Sequence, residues 1–388
     1  MTGKSQSGRV IGLDAHPETC TAAALSGPDA GSARVEWVDG EIAVEKLITW
    51  AKRRVRPEDV IVIEASGNTF ELASRLQSAG CHVLVLESLR AGQIRKTYCN
   101  TDKISAVKLA RVYLSGLAHI VWQPDEKTRA RREIFHRYRR AVTDATRLRN
   151  RIRSWFSDHG IRMKKGLRLT QPSGQAWALG AHDWTPVQRL LIEQMFEELA
   201  QAHTHRKRLR KIMAVDVVED TNLLQLVRLF GIRDITAFAL GALIGDIHRF
   251  RTPKQLVAYI GLNPRVQLSG KGGYVGSLAH CGRRDLRSYM VEAAHAILRY
   301  DKKLGAWGRK LLFRKGPKVA VIAVARKLAV ACWYLMHGRF TPLQEVDSTL
   351  RVKIQKLATV LGRDMLQQLG YKTSKDFQEC LMLRLQTT

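Results

Sequence analysis

A mixed α/β domain followed by a mainly helical remainder is the fold class this sequence predicts, on three observations. Short apolar runs alternate with helical spacing in the first third of the chain. A long basic stretch with a heptad-like apolar rhythm follows. The rest is largely apolar and helical, interrupted at glycines.

Residues 9–15 (RVIGLDA) and 19–25 (TCTAAAL) are apolar runs joined by a polar turn at His16 to Glu18, the pattern of a β-hairpin. Residues 60–65 (VIVIEA) and 82–87 (HVLVLE) are continuous apolar runs, as expected of strands covered on both faces. Between them, residues 42–53 (IAVEKLITWAKR) and 69–80 (TFELASRLQSAG) have helical spacing, the second stopped by Gly80 as a C-terminal cap. This domain is expected over residues 9–123, behind a disordered tail at 1–8.

From 127 to 153 eleven Lys or Arg face two acids. Ile134, Tyr138, Ala141, Ala145, Leu148, Ile152 and Trp155 recur at steps of four and three, the rhythm of a coiled coil. Arg132, Arg139, Arg140, Arg147 and Arg151 fall on other faces and are candidate nucleic-acid contacts. A second helix from about Pro186 to Met213 completes an antiparallel helical hairpin, the segment 124–222.

Residues 223–340 read as helical. In LLQLVRLFGIRDITAFALGALI a tight Gly231 turn separates two apolar helices, a helix-hairpin-helix layout that offers backbone N–H groups to a DNA phosphate. LSGKGGYVGSLAHCGRRDLR (268–287) is expected to be an irregular glycine-rich loop, with Lys271, Arg283 and Arg284 as further nucleic-acid contacts. Residues 341–388 carry an amphipathic helix expected to pad the preceding domain.

With 64 Lys and Arg against 35 Asp and Glu, the formal net charge is +29. An excess of this size attracts a polyanion by releasing its condensed counterions, so nucleic acid is the leading partner. No uninterrupted apolar run reaches the roughly 18 residues of a spanning helix, and MTGKSQSG has no signal-peptide core, so a soluble cytoplasmic protein, nucleoid-associated when on DNA, is expected. The six cysteines are dispersed and lack metal-ligand spacing, which argues for reduced thiols.

Asp14 lies inside an apolar strand, and Glu64 ends another. A buried, unpaired carboxylate is costly, so each needs a partner, a metal or a solvent-open strand end. In an RNase H-like sheet, central strands place such acids side by side and a later helix adds more, together holding one or two divalent cations. Asp102, opening the helical stretch TDKISAVKLA, is the candidate from that helix; its alternative role is an N-cap.

The motifs IGLDAH, IEASG and KTYCNTDKISAVKLARVY, then LFGIRDITAFALGALIGDIHRF through GSLAHCGRRDLRSYMVEAAH and KGPKVAVIAVARKLAVACWYL, resemble the insertion-sequence 110 family of transposases, the bridge-RNA-guided recombinases. The likeness extends over nearly the whole chain. It implies a RuvC-like (RNase H-like) N-terminal domain with Asp14, Glu64 and Asp102 as Mg2+ ligands, and a transposase domain over 223–340 with Ser269 of LSGK as nucleophile. It further implies a structured noncoding RNA, donor and target double-stranded DNA, and a dimer or tetramer whose active sites combine acids and serine from different subunits. Two departures stand out. Ser105 occupies the position of the fourth acid in the family's DxxD, and FGIR replaces a Pro-Gly-Ile-Gly-like turn. Ser277 is a rival nucleophile, and His16 and His280 are given no role. A RuvC-type nuclease using acids and water, or a catalytically weakened RNA- and DNA-binding relative, are the alternatives.

Overall fold

The computed structural model describes residues 8–88, 101–164, 166–269, 272–278, 281–339 and 349–387. They form two compact units, one ending at Asp125 and the other beginning at Glu126.

The first unit is a six-stranded sheet with helices on both faces. Its strands are β1 (Val10–Ala15), β2 (Thr19–Ser26), β3 (Arg34–Ala43), β4 (Val60–Glu64), β5 (His82–Leu86) and β6 (Ile120–Val121), in the order β3-β2-β1-β4-β5-β6. β1, β2 and β3 form an antiparallel meander, β4 and β5 continue parallel to β1, and β6 closes the edge antiparallel. One face packs on α1 (Leu47–Arg54) and α2 (Thr69–Ser78) through Ile11, Leu13, Ile61, Ile63, Leu47, Trp50, Leu72 and Leu76. The other packs on α3 (Asp102–Leu114), where Val10, Val60 and Val62 meet Ala106, Leu109 and Ala110. The strands expected at 9–15, 19–25, 60–65 and 82–87 are present.

The helix expected at 42–53 starts later, because Ile42 and Ala43 pair with Cys20 and Thr19 as the last residues of β3. A 3-10 turn at Val44–Lys46 then leads into α1. The register of β1 against β4 is fixed at its start by a buried ion pair. Arg9 donates to Asp59 through its backbone N–H, Nε and Nη2, the last at 2.6 Å. Burial pushes the Asp59 carboxyl up, but the bonds from Arg9 and the Arg56 backbone N–H outweigh it and hold it below the usual carboxylate range. A one-residue slip would turn every side chain of β4 to the opposite face, so this anchor matters for the acids at the far end.

The second unit opens with two long antiparallel helices, α4 (Glu126–Asp158) and, after α5 (Pro172–Leu179), α6 (Pro186–Glu219). Ion pairs follow their antiparallel sense: Arg131 meets Asp216 and Asp220 at one end, and Arg151 lies 3.8 Å from Glu198 toward the other. Tyr138, Ala141, Ala145 and Ile152 are buried along the expected seam, with Phe135 and Phe156 fully enclosed beside it.

Next come α7 (Thr221–Leu226), α8 (Asp234–Ile244), α9 (Pro253–Ile260), strands β7 (Pro264–Ser269) and β8 (Gly272–Leu278), α10 (Arg284–Tyr300), α11 (Leu304–Lys315) and α12 (Pro317–Met336). The loop expected from 268 is instead an antiparallel hairpin, in which Ser269 pairs with Gly272 and Pro264 with Leu278. Glycine hides strands from a propensity reading because it brings no side chain to pack.

Gly231 lies in the turn between α7 and α8, as expected. At φ +81° it lies so close to α10 that a Cβ would sit 2.7 Å from the Ala293 carbonyl oxygen. The first turn of α8 already holds a carboxylate, Asp234, which accepts from Arg210 Nε at 2.9 Å. The N-terminal charge of α8 is thus met from within.

By length and composition α12 is apolar enough to cross a membrane, although Arg326 and Lys327 interrupt its apolar run. Its Val324, Ala325, Leu328, Ala329 and Cys332 are buried in the core of this unit. The last helices, α13 (Leu350–Gln368, broken by Gly362 at φ +74°) and α14 (Ser374–Thr387), send Ile354, Leu357, Leu361, Phe377, Leu381 and Leu385 into that same core. Buried Lys353 donates from Nζ to the carbonyls of Val227 and Leu229 at 2.9 and 2.7 Å.

Candidate metal centre

The site begins with a missing side chain. Gly12 stands where α3 crosses β1, and a Cβ there would lie 1.9 Å from the Ala106 carbonyl oxygen. Only glycine permits this approach. Asp14 is two residues along the strand, roughly 6.6 Å of rise. Asp102 is one turn back along the helix, about 6 Å. The two carboxylates therefore arrive at one place.

Alternation along β1 sends Ile11 and Leu13 to the α1/α2 face and Val10, Gly12 and Asp14 to the α3 face. On β4, Val60 and Val62 share the α3 face, which puts Glu64 there too. Leu13 pairs with Ile63 in the parallel register, so Asp14 and Glu64 end neighbouring strands side by side. The backbone beyond Glu64 is pinned by Thr69, whose Oγ1 donates to the Glu64 carbonyl at 2.7 Å.

Asp102 is not the N-cap of α3. Thr101 takes that place, its side chain accepting from the Ile104 N–H, which leaves the Asp102 carboxylate 60% exposed in the first turn. The Asp14 side chain is 18% exposed. His16, at the β1–β2 turn, points Nε2 toward both: 3.4 Å from Asp102 Oδ1 and 3.9 Å from Asp14 Oδ2. Among the described residues, Asp14, His16 and Asp102 are the group whose donor atoms all lie within 4.8 Å of one another, as ligands of one metal ion must. Glu64 lies outside this trio. Ser105 is buried one turn into α3 and brings no carboxylate.

A donor set of two carboxylates and one imidazole fits a divalent cation, because the acids supply negative charge that bare apposition would leave repelling. Cys20, next in the hairpin, is no rival ligand: it is fully buried in the core on the α1/α2 face, opposite the face that carries Asp14, and burial and then the Asp14 charge push its thiol up to about 11. His16 was the residue that sequence reasoning passed over. Its signal was its position, two residues beyond Asp14 in a tight turn.

The predicted nucleic-acid contacts lie mostly in the second unit's long helix and divide by exposure. Arg140, Arg147 and Arg151 are 82, 77 and 68% exposed, with only long, weak pairings to Asp144 and Glu198. Arg139 is 43% exposed and lies 3.7 Å from Asp285. Arg132 turns inward, donating from Nε to the Ala242 carbonyl at the C-terminal end of α8. Arg283 forms a two-pronged pair with Asp285, while Arg284 is exposed at the start of α10. Lys271 lies outside the described residues, as do residues 1–7 of the expected tail and His280; of Ser269 and Ser277 the backbone alone is described.

Comparison with known proteins adds to this geometry. A family model named for the DEDD transposases of IS110, described as a transposase, matches residues 11–160. A second, described as the transposase IS116/IS110/IS902 family, matches residues 224–307. The transposase for insertion sequence element IS1111A of Coxiella burnetii is 29% identical over 211 residues, 52% of this chain and 57% of that protein. A probable family 20 transposase of Pseudomonas aeruginosa is 26% identical over 301 residues, 73% of this chain and 85% of that protein. The putative transposase y4qE of Sinorhizobium fredii is 24% identical over 298 residues, 70% of this chain and 73% of that protein. The first match spans the sheet with its acids and the second spans the β7–β8 hairpin, and on both halves together the chain belongs to the IS116/IS110/IS902 family of transposases.

Proposed function

We propose that this transposase is the RNA-guided recombinase of an insertion sequence, cutting and rejoining DNA strands through a phosphoserine intermediate aided by Mg2+-holding acids. The observation that carries the DNA chemistry is the meeting of Asp14 and Asp102 at the sheet end where Glu64 also stops. An antiparallel meander continued by two parallel strands, with helices on both faces, supports reading this unit as RNase H-like. Asp14 and Asp102, with Glu64 on the neighbouring strand, repel a phosphodiester, so they act on DNA as holders of a cation. When bound, the divalent ion stabilises charge developing on phosphate oxygens.

Ser269 is the nucleophile in this reading. Its Oγ forms a bond to phosphorus as the bond from phosphorus to the 3′ oxygen breaks, and the serine proton ends on the released 3′ hydroxyl. The 5′-phosphoserine so formed retains a phosphodiester linkage, and attack by a 3′ hydroxyl reverses the step without ATP. The hairpin supports Ser269 over Ser277: Ser269 is the last paired residue before the turn, whereas Ser277 precedes Leu278 at the paired base. The exposed arginines of α4 support a polyanionic partner, in this reading a structured RNA that pairs with donor and target DNA in a dimer or tetramer.

The test of the serine step is trapping of protein on nicked DNA. The wild-type chain and Ser277→Ala are expected to give an adduct at 5′ ends, and Ser269→Ala neither adduct nor cleavage. A Ser269→Ala protein that still cleaves would favour a nuclease using acids and water. The RNA is tested separately, by sequencing nucleic acid that co-purifies with the chain. One discrete structured RNA is expected, and a random mixture would remove guidance from the proposal.

A further inference from the structure

We propose that His16 is a third, nitrogen donor to the ion held by Asp14 and Asp102, doing part of the work of the carboxylate that Ser105 lacks, and that it tilts the site from Mg2+ toward Mn2+. The proposal rests on reading these acids as a metal site.

Three observations carry it. The first is distance. Donors around one ion, each about 2.0 to 2.6 Å from it, are separated by up to about 5 Å. Asp14, His16 and Asp102 meet that limit together, with all three donor atoms within 4.8 Å. A direct charge-assisted hydrogen bond would instead draw imidazole and carboxylate to about 2.7 to 2.9 Å. At 3.4 and 3.9 Å the ring stands off from both acids, as donors spread around a common centre do.

The second is support. His16 is held at both backbone groups: its N–H donates to the Thr19 carbonyl at 2.9 Å, and its own carbonyl accepts from Asn68 Nδ2 at 3.1 Å. The first bond closes the β1–β2 turn. The second ties that turn to the loop following β4, the strand that ends at Glu64. A ligand needs such anchoring to keep its ring aimed.

The third is the chemistry of the set. With serine at 105 the expected acids number three, and an imidazole lone pair adds a donor without adding charge. Mg2+ is hard, takes oxygen ligands and keeps much of its water, whereas imidazole nitrogen suits first-row transition ions. The substitution of donor types should therefore change which ion is preferred as well as how tightly it is held.

The experiment uses the full chain and Mn2+ as the probe. Electron spin echo measurements on the Mn2+-loaded protein are expected to show 14N modulation that changes on 15N-histidine labelling and disappears in His16→Gln. Calorimetric titration is expected to show Mn2+ affinity falling about tenfold or more in His16→Gln while Mg2+ affinity changes less. Absence of nitrogen modulation in the wild-type protein, or its persistence in His16→Gln, overturns the assignment. Failure of the underlying reading looks different: Asp14→Asn would then bind Mn2+ as tightly as wild type.

Discussion

Asp14→Asn is expected to lower DNA strand cleavage about a thousandfold while leaving the fold intact. The side chain keeps its shape and loses its charge, at the end of a strand whose other α3-facing residues are packed. A metal ion contributes several kcal/mol of charge stabilisation in reactions of this kind. At about 1.4 kcal/mol per tenfold, losing roughly 4 kcal/mol gives that factor. The metal-free protein should still melt cooperatively, because the change keeps the side chain's shape and lies at the strand end, away from the buried core. Single-turnover cleavage with a melting curve of the same preparation checks both parts, and activity within threefold of wild type would remove Asp14 from the chemistry.

The second large effect comes from a residue with no chemistry. Gly12→Ala places a methyl group 1.9 Å from the Ala106 carbonyl oxygen, and the obstructing atom is helix backbone that cannot rotate away. Overpacking of this kind costs about 1 to 3 kcal/mol. The helix must also retreat from β1, taking Asp102 with it, and a displacement of about 1 Å at a reacting centre can cost about a hundredfold in rate. Denaturant titration should show loss of stability and the cleavage assay a parallel loss of activity. Gly67→Ala, where an added Cβ meets nothing within 4 Å, is the control expected to change neither. Equal behaviour of the two variants would mean that α3 is not held against β1 at Gly12.

Why the acids were legible in the sequence, and His16 was not, follows from energetics. A carboxylate inside VIGLDA or VIVIE contradicts its surroundings, and that contradiction is visible in one dimension. A histidine in a polar turn contradicts nothing. Its role depends on α3 arriving from far along the chain, and the carbonyl contact at Gly12 that brings it there has no signature in composition. β1, β2, β4 and β5 were readable because strands covered on both faces must be apolar throughout. β3 (RVEWVDGEIA) was missed because it is the edge strand beside β2, with only Ile42 buried. The heptad rhythm of α4 found most of its buried face, yet Phe135 and Phe156 sit one residue from expected seam positions, as a helix enclosed by several neighbours requires. Capping was decided by a single residue: Thr101 satisfies the Ile104 N–H and so releases Asp102 for other use.

The ties between α13, α14 and the middle of the chain bear on how the polypeptide leaves the ribosome. Lys353 reaches back 126 residues to Val227, and Arg384 reaches back 166 to Val218. The sheet unit has all of its strands once residue 121 has emerged, so it can fold early in synthesis. Its successor must wait for nearly 270 further residues, with long apolar helices such as α12 exposed meanwhile. Nascent chains stalled between residues 336 and 350 should accordingly be the ones that most need a chaperone.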